Sequence, residues 1–261
     1  MKPTLTIVKV GGNIIDDEAK LQSLLISFAT ISGYKLLVHG GGKMATRLAE
    51  QLQIPQQLVD GRRITDAETL KVVTMVYAGW INKSIVAKLN AMGTRSMGVT
   101  GADGWIIESH KRVHPFLDFG YVGDVDNVNT SLLQAWLEQG QTIVVAPITQ
   151  DREGRLLNTN ADTIAQELAK ALSAHYTTTL IYSFEKKGVL RDLHDDTSVI
   201  PSIDSETYSA LKKENLIHSG MLPKLDNAFT AIAAGVNKVI IGDASDLTQL
   251  LNGGAGTHII H

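Results

Sequence analysis

No cysteine occurs among the 261 residues. That excludes disulfides and thiolate metal sites and fits a reducing, cytosolic setting. Basic charge is not in excess either: the formal net charge is −3 and the pI near 6.2, whereas a nucleic-acid surface carries a basic surplus. No apolar run is long enough to span a bilayer; the stretch from Ile143 to Ile148 is strand-sized. Strand-forming residues begin almost at the first position, which leaves no room for a signal peptide. Two nucleotide fingerprints are missing as well. No G-x-x-x-x-G-K-[ST] occurs, so a P-loop is excluded, and no G-x-G-x-x-G follows the first strand, so a dinucleotide fold is not expected. With 44% hydrophobic and 20% charged residues, the chain has the balance of one large globular domain or two intimate ones.

What is present is a strand, glycine turn and helix, repeated. Residues 4–10 are rich in β-branched side chains that suit a pleated strand. Gly11-Gly12 then lets the backbone turn sharply and approach a ligand with no Cβ in the way. Lys9 stands on this otherwise apolar run. It is either solvated at the rim of an ordinary turn or set to meet an anion, because burying it unpaired is costly. Asp16 and Asp17 open a helix that runs to about Ile31. Residues 35–39 form a second strand that enters Gly40-Gly41-Gly42, and 43–53 form the next helix. Such units build parallel sheets whose ligands sit at the carboxyl ends of the strands. A loop over 61–65 precedes a long helix over 66–92, capped by Thr65 with Glu68 three residues on. Apolar over much of its surface, that helix either crosses a core or meets a partner subunit. The turn-rich alternation over 105–125 predicts hairpins. Later strands are expected over 142–148, 176–182 and 238–241, and helices up to about Leu172, over 204–215 and over 221–234.

Several residues could carry chemistry, each with a plainer alternative. Gly40-Gly41-Gly42 ahead of a helix offers backbone N–H donors and the positive end of a helix dipole to an anion, or is simply a tight turn. Arg63 could grip a carboxylate through two guanidinium nitrogens, or stand in solvent. Asn158, Asn160 and Asp162 lie within five residues; one of the last two could cap a helix, or the cluster could orient a substrate and a cation. Lys224 falls in the first turn of a helix, where the dipole disfavours a cation; facing a phosphate would explain the placement. His110 and His114 are spaced i, i+4, but no third ligand accompanies them, so no zinc site is expected. Asp192, Asp195 and Asp196 lack the glycine and terminal glutamate of a calcium loop.

Together, Lys9-Val10-Gly11-Gly12, Val38-His39-Gly40-Gly41-Gly42, Gly61-Arg62-Arg63-Ile64-Thr65-Asp66, Leu157-Asn158-Thr159-Asn160-Ala161-Asp162, Gly220-Met221-Leu222-Pro223-Lys224 and Gly256-Thr257 make the chain resemble the amino-acid kinase family over essentially its whole length. The Arg63 loop and the Asn158–Asp162 run point to its acylglutamate branch. The resemblance implies an α/β fold: an open αβα sandwich with a mostly parallel central sheet, an acceptor-binding lobe over 1–174 and an ATP-binding lobe over 175–261. It implies transfer of the γ-phosphoryl group of ATP to the γ-carboxylate of an N-acylated glutamate, a cytoplasmic step of arginine biosynthesis, with Mg2+ carried by the ATP. N-acetyl-L-glutamate is the default acceptor. N-succinylglutamate, or another small carboxylate or carbamate, is the alternative, and retention of both lysines and Asp162 speaks against a non-catalytic sensor.

Residue by residue, the resemblance makes Lys9 and Lys224 the cations on the transferring group, held in place by Asp162. It puts Gly41, Gly42, Arg63 and Asn158 around the acceptor, with Arg63 on its α-carboxylate. It assigns Gly11, Gly12, Ser183, Lys187, Gly188, Val189 and Leu190 to the phosphates and nucleotide. Transfer to a carboxylate needs no strong base, because the nucleophile is already ionised; it needs in-line positioning and cover for charge. Two departures stand out. Ser183-Phe184-Glu185-Lys186-Lys187-Gly188 lacks the aspartate of the family run and is one residue longer, and Lys43 replaces the proline often found after the triple glycine. Arginine-inhibited relatives carry an extra N-terminal helix that links dimers into hexamers. Only eight residues precede Lys9, so an arginine-insensitive homodimer joined through the long helix is expected.

Overall fold

The β-branched run at the start of the chain forms the strand Thr4–Val10, which lies in the middle of an eight-stranded sheet. The computed structural model describes residues 2–260 apart from 60–61, 185, 193, 215–216, 218–220 and 244–246. Gly61, Glu185 and the His218-Ser219-Gly220 run, which belong to the sequence motifs, therefore lie outside the described residues. On one side of the first strand come Tyr34–His39, Thr142–Val145 and Ser96–Val99. On the other come Thr177–Phe184, Lys238–Asp243, Thr257–Ile259 and Ser202–Ile203. Pairing is parallel throughout, save where Lys238–Asp243 meets Thr257–Ile259 antiparallel. The expected mostly parallel sheet is present.

Helices cover both faces, and the alternation of the strands sorts side chains between them. Leu5 and Ile7 join one core with residues of the helices Ala161–Leu172 and Leu222–Ala233. Val8 and Val10 join the other, with Glu18–Ala29 and the segments that follow residue 66. Each aliphatic side chain fully buried in these cores contributes roughly 1.5–3 kcal/mol. The period of two also sends Lys9 to the face of Leu5 and Ile7, and His39 to the opposite face with Leu37. That sorting decides which helix each of them meets.

The strands of residues 1–174 fill one half of the sheet and those of 175–261 the other. The halves join where Thr4–Val10 lies beside Thr177–Phe184, in register from Thr4↔Thr177 to Lys9↔Tyr182. This is a reversal of strand order, the place where an open parallel sheet leaves a crevice at its carboxyl edge. A smaller four-stranded sheet carries the expected hairpin, Ile107–Lys111 against Gly123–Val128. Among the described residues, no helix is long and apolar enough to cross a membrane.

Two local expectations are corrected. Within the expected loop, Arg62–Ile64 is a strand that pairs with Gln57–Val59 as a short antiparallel ribbon. Thr65 does not cap the helix after it. Its N–H donates to the Phe119 carbonyl and its own carbonyl accepts from Tyr121 N–H, so Thr65 is tied sideways into the hairpin. The cap is Asp66, whose carboxylate accepts from Thr69 N–H at 2.7 Å. The long helix itself is present as Ala67–Thr74, a π-helical Met75–Ile81 and Asn82–Ala91.

Gly120 sits between the two residues that clasp Thr65. Its φ is +72°, and a Cβ there would lie 2.1 Å from the Thr65 carbonyl oxygen. Gly120→Ala is expected to cost about 2–3 kcal/mol, read as a lower urea midpoint at unchanged slope. An unshifted midpoint would rule out that close approach.

Candidate active site

The helix Ala161–Leu172 starts at the carboxyl edge of the sheet, and its cap is Asn160, whose side-chain oxygen accepts from Asp162 N–H at 2.7 Å and from Thr163 N–H at 3.3 Å. With that task taken, the Asp162 carboxylate points at two lysines. Lys9 Nζ stands 2.7 Å from Oδ1, and Lys224 Nζ stands 2.9 Å from Oδ2. Lys9 comes from the first strand, Asp162 from the helix behind it and Lys224 from the helix Leu222–Ala233. All three side chains are mostly buried, with 11%, 18% and 21% of their surface exposed. Burial alone would push the Asp162 carboxyl up. The ammoniums of Lys9 and Lys224 outweigh burial and hold it well below the usual carboxylate range.

This triad stands where two cavities meet. One, of about 380 Å3, is lined by Lys9, Gly41, Gly42, Arg63, Asn158 and Asp162 among others. The other, of about 310 Å3, is lined by Lys9, Gly11, Gly12, Ser183 and Lys224, with Lys43. Lys9, Gly12, Gly42 and Lys43 belong to both. Among the described residues, the first wall carries Lys9, Lys43, Arg62, Arg63 and Arg112 with one carboxylate in the lining, Asp162, while Arg112 pairs with Asp124 outside it. Such a wall suits a ligand with more than one negative group.

Arg63 is buried, and among the described residues its guanidinium meets neutral groups: the Gly42 carbonyl at 2.9 Å, Thr46 Oγ1 at 2.8 Å, the Gln56 side-chain oxygen and the Tyr77 hydroxyl. Among the described residues no carboxylate pairs with it, so its charge is left for an anion in the cavity. Asn158, at the end of the strand Leu156–Asn158, donates from Nδ2 to Thr65 Oγ1 at 3.0 Å. Gly41 has φ +152°, and a Cβ there would lie 2.2 Å from Ile81 Cδ1 and 3.2 Å from the Tyr77 ring. Only glycine lets the long helix press this close to the turn.

The remaining sequence candidates divide. Ser183, next to last in its strand, lines the second cavity, with its hydroxyl buried and without a hydrogen-bond partner among the described residues. Lys187 lines a further cavity of about 480 Å3, together with Asp243, Gln249 and His258. Gly188, Val189 and Leu190 are buried beneath that surface: Val189 N–H donates to Thr257 Oγ1 at 2.8 Å, and Leu190 bridges Val199. His110 pairs with Asp126 at 2.7 Å. No cluster of three or more potential metal-binding side chains occurs among the described residues.

Sequence reasoning gave His39 no role of its own, and the Asp243, Gln249 and His258 wall went unread. The signal for His39 was a histidine on a strand with no reason to be buried. Its ring is fully buried and packs against Asn82 of the long helix, with Nε2 3.2 Å from Asn82 Nδ2. Burial lowers its pKa to about 4, only partly opposed by the Gly40 carbonyl beside Nδ1, and nearby Lys83 adds to the lowering.

The profile of the amino acid kinase family matches residues 4–243. A Phocaeicola vulgatus protein named acetylglutamate kinase is 55% identical over 259 residues, 99% of each chain. A Bacteroides fragilis protein of the same name is 56% identical over 245 residues, 94% of each chain. Among solved structures, a Streptococcus mutans UA159 protein matches with a TM-score of 0.78 at 28% identity, over 98% of both chains.

Two outcomes follow from this electrostatics. Between pH 6.5 and 4 the unfolded chain binds a proton at His39 that the folded chain refuses, so folding stability falls as pH drops through that window. The slope is at most about 1.4 kcal/mol per pH unit, and urea titrations of His39→Asn should flatten it. Asp162→Asn leaves two buried ammoniums face to face, and a cost of about 3 kcal/mol or more is expected, relieved by added phosphate or sulfate. A variant as stable as the parent in low salt would refute the clamp.

Proposed function

Because the chain belongs to the amino acid kinase family, we propose that it moves the γ-phosphoryl group of ATP onto the γ-carboxylate of N-acetyl-L-glutamate, as a cytoplasmic step of arginine biosynthesis. The observation that carries this reading is the Lys9–Asp162–Lys224 clamp at the junction of two cavities, one of which has an electropositive wall holding a buried arginine.

On this reading the acylglutamate occupies the cavity of Arg63 and Asn158. Arg63 takes the α-carboxylate, and Gly41 and Gly42 bring backbone close to the rest. The nucleotide phosphates occupy the cavity of Gly11, Gly12 and Ser183. The wall of Lys187, Asp243 and His258 is a place for the nucleoside. The acceptor carboxylate is ionised at neutral pH and attacks without a base. Lys9 and Lys224 cover charge on the oxygens of the transferring group as it passes between the cavities. Asp162 keeps both ammoniums fixed and close, and being pinned by them it is not a general base. Magnesium would come bound to the nucleotide phosphates and would neutralise charge on their oxygens; Asp162, committed to Lys9 and Lys224, would not hold it. Residues 1–174 then act as the acceptor lobe and 175–261 as the ATP lobe.

We further propose a homodimer joined through the long helix. Met75 and Trp80 support it: both lie on the π-helical stretch with half or more of their surface exposed, an unusual place for a tryptophan with no contact to make.

An ADP-release assay across N-acetylglutamate, N-succinylglutamate, glutamate, aspartate, carbamate and uridylate tests the chemistry. Turnover is expected with N-acetylglutamate; none with any acylglutamate would overturn the reading. Lys224→Ala should lower kcat by on the order of 100-fold or more, and undiminished turnover would remove the clamp from the mechanism. Sedimentation velocity should give a dimer that Trp80→Glu converts to monomer; a Trp80→Glu dimer would place the interface elsewhere.

A further inference from the structure

His39 follows the second strand's apolar run and stands directly before the triple glycine. Its surroundings fix its chemistry from both ends. Nδ1 lies 2.9 Å from the Gly40 carbonyl oxygen, an acceptor only, so Nδ1 bears the proton and donates. Nε2 lies 3.2 Å from Asn82 Nδ2. The orientation of that amide is set independently: Nδ2 also donates to the Val144 carbonyl at 3.0 Å, while Oδ1 accepts from Lys83 Nζ at 3.0 Å. Lys83 is itself held by the Gly98 carbonyl at 2.7 Å. An amide donor therefore faces Nε2, which must be the bare acceptor of a neutral ring.

The π-helical turn makes this contact possible. A π turn stacks residues five apart, which brings Tyr77, packed on Gly41, and Asn82, bonded to His39, toward one side of the helix. The long helix thus grips the glycine turn twice, once by packing and once through the imidazole.

From this chain of contacts we propose that His39, oriented by Asn82, is a positioning residue that holds the Gly40–Gly41 peptide so that the Gly41 N–H faces the acceptor cavity. The peptide is planar and trans, so its carbonyl and N–H point opposite ways. Tethering the Gly40 carbonyl to the buried ring turns the Gly41 N–H away from the ring, and Gly41 lines the cavity beside Lys9. Glycine at 40 and 41 has no side chain to resist a flip of this peptide, so the tether supplies the orientation. The inference rests on the kinase reading, in which that N–H meets an oxygen of the acceptor or of the transferring group.

Two substitutions separate positioning from packing. In His39→Asn the side-chain amide can place a donor where Nδ1 was, keeping the Gly40 tether and losing the Asn82 bond. In His39→Gln the amide reaches the Nε2 position, keeping the Asn82 bond and losing the tether. The expected result is that His39→Gln melts near the parent yet loses kcat by on the order of 100-fold, with KM for MgATP changed less than about threefold. His39→Asn should melt lower yet keep kcat within about fivefold, for the tether survives. Equal losses of kcat in the two variants, or losses that follow Tm, would overturn the proposal. So would 15N NMR of the unmodified protein's histidine ring if it showed the Nε2–H tautomer at pH 7, a measurement that does not depend on either variant folding. A parent protein without acylglutamate turnover defeats the kinase reading instead; an active parent with an unimpaired His39→Gln defeats only this one.

Discussion

One carboxylate between two ammoniums governs the centre of this molecule. Asp162 is reached by Lys9 from a strand in one half of the sheet and by Lys224 from a helix in the other half of the chain. Neither lysine would be stable at such low exposure without a counter-charge, and two of them side by side would repel. With the shared aspartate, the two ammoniums stand beside the cavities, and the three side chains together carry a surplus of one positive charge. A phosphoryl group in transfer, with charge spread over its oxygens, is the complement of that surplus.

The geometry of the sheet assigns each group its surroundings. Alternation along the first strand puts Lys9 on the face of the Asp162 and Lys224 helices, and alternation along the second puts His39 on the face of the long helix. Two adjacent strands therefore deliver a charged group and a neutral hydrogen-bonding group to opposite sides of one carboxyl edge. The charged one is left partly open to the cavities. The neutral one is sealed, and its low basicity follows from that sealing.

Much of this was legible in the sequence, for identifiable reasons. Periodicity and glycine turns disclosed the parallel sheet, because strand period and turn chemistry are local. Lys9 alone was ambiguous; only with Asp162 and Lys224 did a charge balance emerge, and it is this balance that the folded chain displays. Asn160 and Asp162 could each have been the cap, and the structure divides the labour between them. Other features depend on contacts far apart in sequence. Thr65 fails to cap because Phe119 and Tyr121 claim its backbone. The π turn has no residue signature strong enough to separate it from an α-helix. Val189 and Leu190, assigned to the nucleotide through the resemblance, lie beneath the surface, where strand pairing and Thr257 fix them. The absent aspartate in the 183–188 run had already marked that stretch as departing from its relatives.

The join between the halves of the sheet is itself a ladder of six residue pairs, from Thr4↔Thr177 to Lys9↔Tyr182. A ladder is a poor hinge: opening the halves like jaws would tear backbone bonds in a dry core. A cover that lies over the carboxyl edge can move without breaking that ladder. The ribbon of Gln57–Val59 and Arg62–Ile64 is one such cover, short, two-stranded and bringing the exposed Leu58, with Arg62, to the wall of the cavity that holds Arg63. On the proposed function, admitting the acceptor and excluding water from it would fall to a few residues of ribbon, while the ladder beneath keeps Lys9 and its neighbours in register.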